Sequence, residues 1–363
     1  MEMSFVLLFA AWEAALTALR VLFRKKEIKP SLRAVVTAAK YLAAIAFAVL
    51  VLAGPVVLRP AQPLLFAGYA ALLADAVVDS VYAVFCKVSK KEKKFSIKLA
   101  AALCFGILFF VYGFVNMETV RPAYHTYSSP KLTSEHKFVF VADMHTGSAQ
   151  PFSVTEKTVR DIKAQNPDFV ILGGDITDDY TTKDEMQYTF SLFADFDVPV
   201  YYVFGNHDRQ GHAEYANGRQ YTAEELEREI TLNGITVLKD EYVTISPDLI
   251  LLGREDITEG DGRKKADALP NPEPSAYLVV ADHQPVEAEE NLATGMDLQV
   301  SGHTHAGQLF PLKPLYALIG FVHGDYNVGS AVLNVSSGAC GWRVPMRTQA
   351  HCNYEVITMK PAQ

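Results

Sequence analysis

Hydrophobic and polar residues alternate differently in two parts of the chain. In the first third, apolar residues continue in stretches long enough to cross a bilayer core of about 30 Å as helices. Four such stretches cover residues 4–23, 34–58, 64–85 and 97–115. From residue 137 onward, short apolar runs alternate with amphipathic stretches, a pattern typical of βαβ units. We therefore predict an all-α transmembrane domain of four helices over residues 1–116, a linker over 117–136 and an α/β domain over 137–363.

The basic residues between the predicted spans give the first domain an orientation. Five Lys or Arg residues lie between the first two spans and five Lys residues lie between the last two, whereas the middle connector offers only Arg59. Positive charge in short loops stays on the cytoplasmic side of a membrane. The sequence thus predicts a multi-pass protein of the cell membrane with its α/β domain outside the cytoplasm.

Ionisable residues also occur inside the predicted spans. Asp75 and Asp79 lie four positions apart and share one helix face, and Glu13, Arg20 and Lys40 belong to other spans. Charged groups at membrane depth are costly and usually face a bundle interior or a polar cavity. They predict either pairing within the bundle or a pathway for ions or lipid head groups.

Charge and cysteine content narrow the function of the second part. Residues 1–136 contain 16 Lys and Arg against 8 Asp and Glu, whereas the remainder contains 17 against 33. So acidic a domain lacks the basic stripes of a nucleic-acid-binding surface. Four cysteines are too few for a disulfide framework. Cys340 and Cys352 either form one disulfide outside the cytoplasm or remain free thiols.

Side chains that can bind metals follow the predicted strands of the second part. They are Asp143, His145, Asp175, Asn206, His283, His303 and His305. Any one of them has a structural explanation, such as a helix cap or a surface histidine. Together they are about the number of nitrogen and oxygen ligands that two divalent ions need. Such a set without thiolates suits Mn, Fe or Zn, and the identity of the metals stays open.

The order of these motifs resembles that of the calcineurin-like metallophosphoesterase superfamily. The motifs are DxH at 143–145, GGDxxD at 173–178, GNHD at 205–208, the lone His283 and GHTH at 302–305. The continuation to Gln308 is similar to a bacterial membrane-associated branch, in which a glycine usually stands where this chain has Ala306. The resemblance covers residues 137–359 and implies a four-layer α/β/β/α sandwich.

The resemblance also implies a role for each motif residue. Asp143, His145 and His305 would hold a first metal, and Asn206, His283 and His303 a second, with Asp175 bridging the two. A hydroxide between the ions would attack the phosphoester in line, since two such ions activate a water and stabilise both the attacking and leaving oxygens. His207 would protonate the leaving group, and Asp208 would orient His207.

The predicted function is therefore that of a membrane-embedded, two-metal phosphohydrolase. A lipid or envelope-associated phosphoester is the favoured substrate, because the spans keep the site near a bilayer. Two alternatives are a phosphodiesterase or nucleotidase acting on soluble substrates and a non-catalytic metal-binding module on a membrane platform. The sequence predicts membrane lipids as partners and no nucleic acid, and it leaves the oligomeric state open.

Two further stretches are candidates for substrate contact. Trp342, Arg343 and Arg347 offer a stacking surface and a phosphate-binding fork, or else the arginines pair with surface carboxylates. Residues 309–322 (LFPLKPLYALIGFV) are unusually apolar for a segment that directly follows the metal-binding histidines. This segment is either part of the core or an apolar lip that rests on the bilayer and admits an acyl chain.

Overall fold

The chain folds into two compact units, Met1–Gly113 and Phe114–Gln363. The computed structural model describes residues 8–18, 30–53, 62–89, 95–211 and 218–362. The boundary lies within the last turns of a helix, a few residues before the predicted domain boundary at residue 116.

The first unit is built from helices. They are α1 (Leu8–Ala18), α2 (Pro30–Ala53), α3 (Gln62–Ser89) and α4 (Phe95–Met117). Among the described residues, three stretches are long and apolar enough to cross a membrane, namely Ala34–Leu52, Leu64–Ser89 and Ala100–Met117. They coincide with the second, third and fourth predicted spans. Of the first predicted span only the part in α1 is described, and residues 4–7, 19–23 and 54–58 lie outside the described residues.

The charged residues of the first unit form ion pairs between helices. Lys40 of α2 contacts the carboxylates of both Asp75 and Asp79 on α3, and Asp75 is fully buried. Glu13 of α1 is buried as well, while Arg20 lies outside the described residues. These contacts favour pairing within the bundle over a pathway for ions or lipid head groups. Opposite charges neutralise each other where water is excluded.

The second unit contains two six-stranded sheets. The first sheet has the order β1-β12-β2-β3-β4-β5. Its strands are β1 (Val120–Ser129), β2 (His136–Val141), β3 (Phe169–Leu172), β4 (Val200–Tyr202), β5 (Thr236–Val237) and β12 (Cys352–Pro361). Strands β2 to β5 are parallel, whereas β12 runs antiparallel to β2.

The second sheet has the order β10-β11-β9-β8-β7-β6. Its strands are β6 (Glu241–Ser246), β7 (Leu249–Gly253), β8 (Tyr277–Ala281), β9 (Leu298–Ser301), β10 (Gly324–Val328) and β11 (Ala331–Val335). Strands β7, β8, β9 and β11 are parallel, and antiparallel β6 and β10 form the edges. The result is a mixed α/β fold with two sheets, as predicted.

The two sheets pack face to face through their strand residues. Phe138 and Phe140 of β2 share one buried cluster with Val279 of β8 and Val300 of β9. Because side chains alternate across a strand, the neighbouring Val139 points to the opposite face, into a separate cluster. Each fully buried large apolar side chain contributes about 1.5–3 kcal/mol, so this double-sided burial accounts for the nearly continuous apolar sequence of β2.

Helices cover the outer face of the first sheet. They are α5 (Phe152–Lys163), α6 (Lys183–Ser191) and α7 (Ala223–Leu232). Thr182 and Thr222 begin the last two with capping boxes, and the second of these is visible in the sequence. The outer face of the second sheet packs against segments that include the 3-10 turns at Ala266–Ala268 and Glu290–Thr294.

The predicted linker over 117–136 is wrong, because most of it forms β1. This strand pairs in parallel with β12 along its whole length, from Val120 opposite Cys352 to Ser129 opposite Pro361. Pro122 is compatible with the strand because β1 is the edge of the sheet, where a missing N–H breaks no ladder. The sequence analysis also missed β10 and the short helix α8 (Leu312–Tyr316).

The predicted alternative of a disulfide between Cys340 and Cys352 is wrong, because the two residues are not bonded to each other. Cys340 and Cys352 are both free and buried. The Sγ atom of Cys352 lies 3.3 Å from the carbonyl oxygen of Met117, and that of Cys340 lies 3.1 Å from the carbonyl oxygen of Gly341. Burial raises the pKa of both thiols, which keeps them protonated and unreactive.

Candidate metal centre

The predicted ligands follow strands whose carboxyl ends lie at one edge of each sheet. Strands β2, β3 and β4 are parallel neighbours and lead into Asp143, Asp175 and Asn206. Strands β8 and β9 are parallel neighbours in the second sheet and lead into His283 and His303. Since the sheets pack face to face, the two edges meet, and polar side chains from five strand ends converge.

The first group of donor atoms comprises Asp143, His145 and His305. One ligand atom from each lies within 4.8 Å of the others. The Nε2 atoms of the two histidines are 3.3 Å apart, and the Oδ1 atom of Asp143 lies 3.6 Å from Nε2 of His305. Asp143 and His145 are fully buried.

The second group comprises Asp175, His283 and His303, again within 4.8 Å of one another. Nε2 of His283 lies 3.2 Å from Oδ2 of Asp175, and Nδ1 of His303 lies 2.9 Å from Oδ1 of Asn206. The same Oδ2 atom of Asp175 is 3.8 Å from Nε2 of His145 in the first group. Asp175 therefore lies between the two groups, and the structure brings all seven predicted ligands together.

The donor atoms fit divalent metal ions. Nε2 of His283 is buried, and its 3.2 Å contact with Oδ2 of Asp175 does not have the geometry of a hydrogen bond, although a buried polar nitrogen normally needs such a bond. The opposite ring nitrogen, Nδ1, lies 2.8 Å from the carbonyl oxygen of Gly173, and Nδ1 of His305 lies 3.1 Å from that of Cys340. Such contacts orient metal-binding imidazoles by holding the nitrogen that faces away from the ion.

The electrostatics of the centre also suit metal binding. Burial lowers the pKa of His305 and brings that of His303 to about 4, so both imidazoles are neutral and able to donate a lone pair. Burial opposes the ionisation of Asp175, but the adjacent His283 and His207 hold the pKa of this carboxyl well below its usual range. His303 and His305 are thus neutral near an ionised carboxylate. Burial opposes the protonation of His145 and His283, but neighbouring carboxylates raise the pKa of both.

Five of the ligand residues have a left-handed backbone. The φ angles are 54° at Asp143, 42° at His145, 51° at Asp175, 71° at His303 and 48° at His305. This conformation costs a non-glycine residue about 1–3 kcal/mol and persists where the surrounding structure imposes it. Backbone strain therefore occurs at five of the seven predicted ligands, as well as at seven other non-glycine residues that the structure describes.

Two glycines allow the backbone to approach the ligands. Gly174 has φ +86°, and a Cβ atom there would lie 2.7 Å from Nδ1 of His283. Gly338 has φ +80°, and a Cβ atom there would lie 2.7 Å from Cβ of Asp143. Gly174 belongs to a motif visible in the sequence, whereas Gly338 is part of a loop that the sequence analysis did not assign to the site.

His207 is held by Asp179, which corrects the prediction that Asp208 orients it. Nδ1 of His207 lies 2.6 Å from Oδ2 of Asp179. The carboxylate of Asp208 instead accepts hydrogen bonds from the backbone N–H groups of Gly205, Asp175 and Thr177. A fully buried carboxylate needs such donors, so Asp208 fixes the shape of the loops that carry the ligands.

Arg347 is not a substrate-binding residue, contrary to the prediction. Its guanidinium group is fully buried and donates to the carbonyl oxygens of Ser337, Gly338, Cys340 and His351. The alternative prediction, pairing with a surface carboxylate, fails for the same reason. Arg347 instead organises the loop behind Asp143 and His305.

Trp342 and Arg343 remain candidates for substrate contact. The ring of Trp342 lies 4.9 Å from that of His207 between centroids, and the guanidinium of Arg343 lies 4.7 Å from the Trp342 ring. Both residues are partly exposed. The aromatic ring is thus next to the histidine that the sequence predicts as proton donor.

Sequence reasoning missed Asp179 and assigned no role to Asp178, the last residue of the GGDxxD motif. Asp179 contacts His207, and Oδ2 of Asp178 lies 3.4 Å from Nδ1 of His145. The signal for them is the doublet Asp178-Asp179 three residues after Asp175. The sequence does not show which of the two carboxylates contacts which histidine, because this depends on the conformation of the turn after β3.

A mixed α/β unit whose two sheets meet at clustered imidazoles and carboxylates is an arrangement that could hold metal ions. A family model described as calcineurin-like phosphoesterase matches residues 136–307, which include every predicted ligand. The chain therefore carries a calcineurin-like metallophosphoesterase domain and is a metal-dependent phosphoester hydrolase. Proteins with this domain use divalent metal ions, typically two.

Several sequence relatives have names that include metallophosphoesterase, and each alignment covers part of both chains. An uncharacterized metallophosphoesterase of Campylobacter jejuni is 27% identical over 296 residues, which cover 78% of this chain and 76% of the relative. One of Helicobacter pylori strain J99 is 30% identical and is covered over 61% of its length by 64% of this chain. A Bos taurus transmembrane protein with metallophosphoesterase domain is 26% identical, with 75% of this chain covering 64% of it.

Solved structures show a similar but distant arrangement. A dimetal phosphatase of Danio rerio aligns over 62% of this chain and 98% of its own, with 11% sequence identity and a TM-score of 0.40. This similarity is too low to add to the assignment, which rests on the family model and the sequence relatives. The three candidate spans and the transmembrane relatives also indicate that the chain is associated with a membrane.

Proposed function

We propose that this chain is a membrane-embedded phosphohydrolase with two divalent metal ions at one centre. The observation that carries the proposal is the pair of three-residue donor groups with Asp175 between them. Asp143, His145 and His305 would hold one ion. The other would be held by His283, His303 and the adjacent Asn206, and Asp175 would contact both.

The residues of the chain have distinct tasks in this reaction. The bound ions would supply positive charge for the phosphoryl oxygens and an activated water. His207 would donate a proton to the leaving oxygen, and Asp179 would hold the ring in place through its contact with Nδ1. Burial lowers the pKa of His207, but the carboxylates of Asp175 and Asp179 raise it to about 9, which keeps the ring protonated at neutral pH.

The finer proposals concern the membrane and the substrate. Four spans with basic connectors inside the cell would place the domain outside the cytoplasm. A lipid or envelope-associated phosphoester is then the favoured substrate, and Trp342 with Arg343 would contact it beside His207. The α5–α7 layer, the two sheets and the 3-10 turns support a four-layer α/β/β/α sandwich.

Hydrolysis by metal-loaded protein tests the proposal. Purified full-length chain, loaded with Mn in detergent, is given a generic phosphomonoester and a phosphodiester, and its metal content is measured in parallel. Asp175→Asn should lose activity by at least about 10²-fold, since it removes the carboxylate common to both groups. Asp161→Asn, on the outer helix α5, is the matched control and should retain activity.

The outcomes separate the remaining functions. Turnover of the diester alone favours a phosphodiesterase or nucleotidase, and turnover of lipid esters alone favours the lipid substrate. Bound metal with no turnover of any ester would instead establish the non-catalytic metal-binding module. A reporter enzyme fused after residue 363 tests the orientation, and cytoplasmic activity of that reporter would contradict the proposed topology.

A further inference from the structure

The segment that follows the metal-binding histidines ends in an exposed apolar tip. Helix α8 begins at Leu312, and the chain then continues through Ala317, Leu318, Ile319 and Gly320. Leu318 is 80% exposed and Ile319 is 86% exposed, more than any other large apolar side chain described in the second unit. We define the apolar tip as residues 314–320. An exposed patch of this kind marks a site of contact with another apolar surface.

Buried residues hold both ends of the tip. Leu309 and Leu312 on one side and Val322 on the other are buried. The hydroxyl of Thr304 donates to the carbonyl oxygen of Val322, and the side chain of Gln349 donates to that of Leu309 at 3.0 Å. Both ends of the tip are therefore fixed by buried side chains and hydrogen bonds. One of these hydrogen bonds comes from Thr304, which lies between His303 and His305.

The backbone of the tip is already hydrogen-bonded within itself. The N–H group of Ala317 donates to the carbonyl oxygen of Lys313 at 3.0 Å, and that of Leu318 to Leu315 at 3.2 Å. The N–H groups of Ile319 and Gly320 both donate to Tyr316, at 2.9 and 3.2 Å. An exposed loop usually relies on water for such donors, whereas a segment that enters lipid must satisfy them internally.

The charges around the tip favour a lipid surface as the occupant. Residues 309–322 contain no Asp or Glu, although the chain from residue 137 onward is strongly acidic, and Lys313 lies at the base of the tip. Nζ of Lys313 is 3.2 Å from Nδ1 of His323. A basic residue below exposed Leu and Ile side chains matches the order of anionic head groups and acyl chains at a bilayer surface.

We propose that the apolar tip inserts into the interfacial region of the lipid bilayer that holds this chain. The bilayer is the surface nearest to hand, because the second unit begins directly after a helix able to cross a membrane. Attachment to the same membrane raises the effective concentration of lipid at the tip, so even a small apolar contact is populated. The inference rests on the membrane association of the chain and requires no turnover.

Spin labels on the tip test this contact in the full-length chain. Leu318→Cys and Ile319→Cys are each labelled with a nitroxide and reconstituted into vesicles of phosphatidylcholine and phosphatidylglycerol. The background carries Cys86→Ser and Cys104→Ser, while Cys340 and Cys352 are buried and stay unlabelled. The matched control is Leu232→Cys, since Leu232 is 67% exposed at the end of the acidic helix α7. Power-saturation EPR then compares collisions with oxygen and with a water-soluble nickel chelate.

The two tip sites should show a ratio of oxygen to nickel collisions several-fold higher than that of the Leu232 site. Equal ratios at all three sites would overturn the proposal, because the tip would then be in water. Spectral broadening that disappears on dilution with unlabelled chain would assign the tip to a second copy, which also overturns it. Protection that appears only when a lipid phosphoester is added would assign the tip to the substrate, and this outcome would also overturn the proposal. Each labelled variant should bind metal as the parent does.

Discussion

At the scale of single residues, the centre combines strained backbone with buried charge. Left-handed φ angles at Asp143, Asp175 and His303 turn the chain away from the direction of the preceding strand. Each ligand therefore lies at the site, where a chain that continued as a regular strand would not place it. Ala306 also has a left-handed φ, 49°, a conformation that glycine adopts without steric cost. These costs are offset by hydrogen bonds such as those of Asp208, which accepts from three backbone N–H groups.

Replacing Asp179 tests whether it, rather than Asp208, controls His207. In Asp179→Asn the ring loses the carboxylate at 2.6 Å, so the pKa of His207 falls from about 9. Activity that requires protonated His207 should therefore decline at lower pH than in the parent, and kcat should drop by about 10-fold or more. The measurement is the pH profile of kcat for a phosphomonoester. An unchanged alkaline limb in Asp179→Asn would exclude this role.

Asp208→Asn is the matched comparison for this prediction. The amide cannot accept all the backbone N–H groups that the carboxylate accepts, so metal content and thermal stability should fall first. The pH profile of the remaining activity should keep its alkaline limb. A shifted limb here, with full metal content, would return the orienting role to Asp208.

The two arginines of the segment after Gly341 should differ in what their loss affects. Arg347→Met removes hydrogen bonds to four buried carbonyl oxygens and should cost about 3 kcal/mol or more of stability. Arg343→Ala removes a cation–π contact worth about 0.5–1 kcal/mol and should raise KM with little change in melting temperature. Thermal melts and KM values for both variants distinguish a structural role from a role in substrate binding. A raised KM in a fully stable Arg347→Met would contradict the structural role.

At the scale of elements, β1 joins the edges of the two sheets through His125. Nε2 of His125 lies 2.8 Å from Oε2 of Glu355 on β12, and Nδ1 lies 3.4 Å from Oδ2 of Asp325 on β10. Hydrogen bonds to Asp325 and Glu355 raise the pKa of His125 to about 9, against the opposing effect of burial. A strand that the sequence presents as a linker thus carries an ion-paired link between the sheets.

This link predicts a defined pH dependence of stability. Because the folded pKa of His125 is above the unfolded value of about 6.5, its contribution is complete below about pH 6.5 and is lost as pH rises through about 9. His125→Gln should therefore be less stable than the parent by on the order of 2 kcal/mol near pH 6, after allowance for solvent screening. The difference should shrink towards pH 10. Melting curves of both proteins across this range in detergent provide the measurement, and a constant difference would refute the ionic origin.

The elements that the sequence predicted are those whose pattern decides their structure. Strand β8 (Tyr277–Ala281) is one of the short apolar runs from which the sequence predicts βαβ units, because such runs are typical of buried parallel strands. Strand β1 was missed because it lies at an edge, half exposed, and contains Pro122. The clustering of the seven candidate ligands could be predicted because each lies at or just after a predicted strand end, whereas their division between two metals rests on the family resemblance. Asp179 and Arg347 could not, because their roles depend on contacts between segments far apart in the sequence.

At the scale of the whole molecule, the chain separates a helical unit from the metal centre. The buried contacts of the helical unit include Lys40 with Asp75 and Asp79, whereas every predicted metal ligand belongs to the second unit. Breaking a buried ion pair by removing one partner is costly, because the charge left behind has no compensation. The energetic effect of such a change should therefore be confined to the unit that contains it.

Lys40→Met provides the test of this separation. It leaves Asp75 and Asp79 without their shared cation and should destabilise the helical unit by about 3 kcal/mol or more, with lower recovery of chain from the membrane. Hydrolysis of a soluble phosphoester, measured per folded and metal-loaded molecule in detergent, should stay within about two-fold of the parent. Lys163→Met, which removes an exposed contact on α5 of the second unit, is the control for loss of a lysine. A Lys40→Met variant that folds normally but loses hydrolysis would instead show that the charges of the bundle act on the metal centre. In that case hydrolysis would depend on both units rather than on the second unit alone.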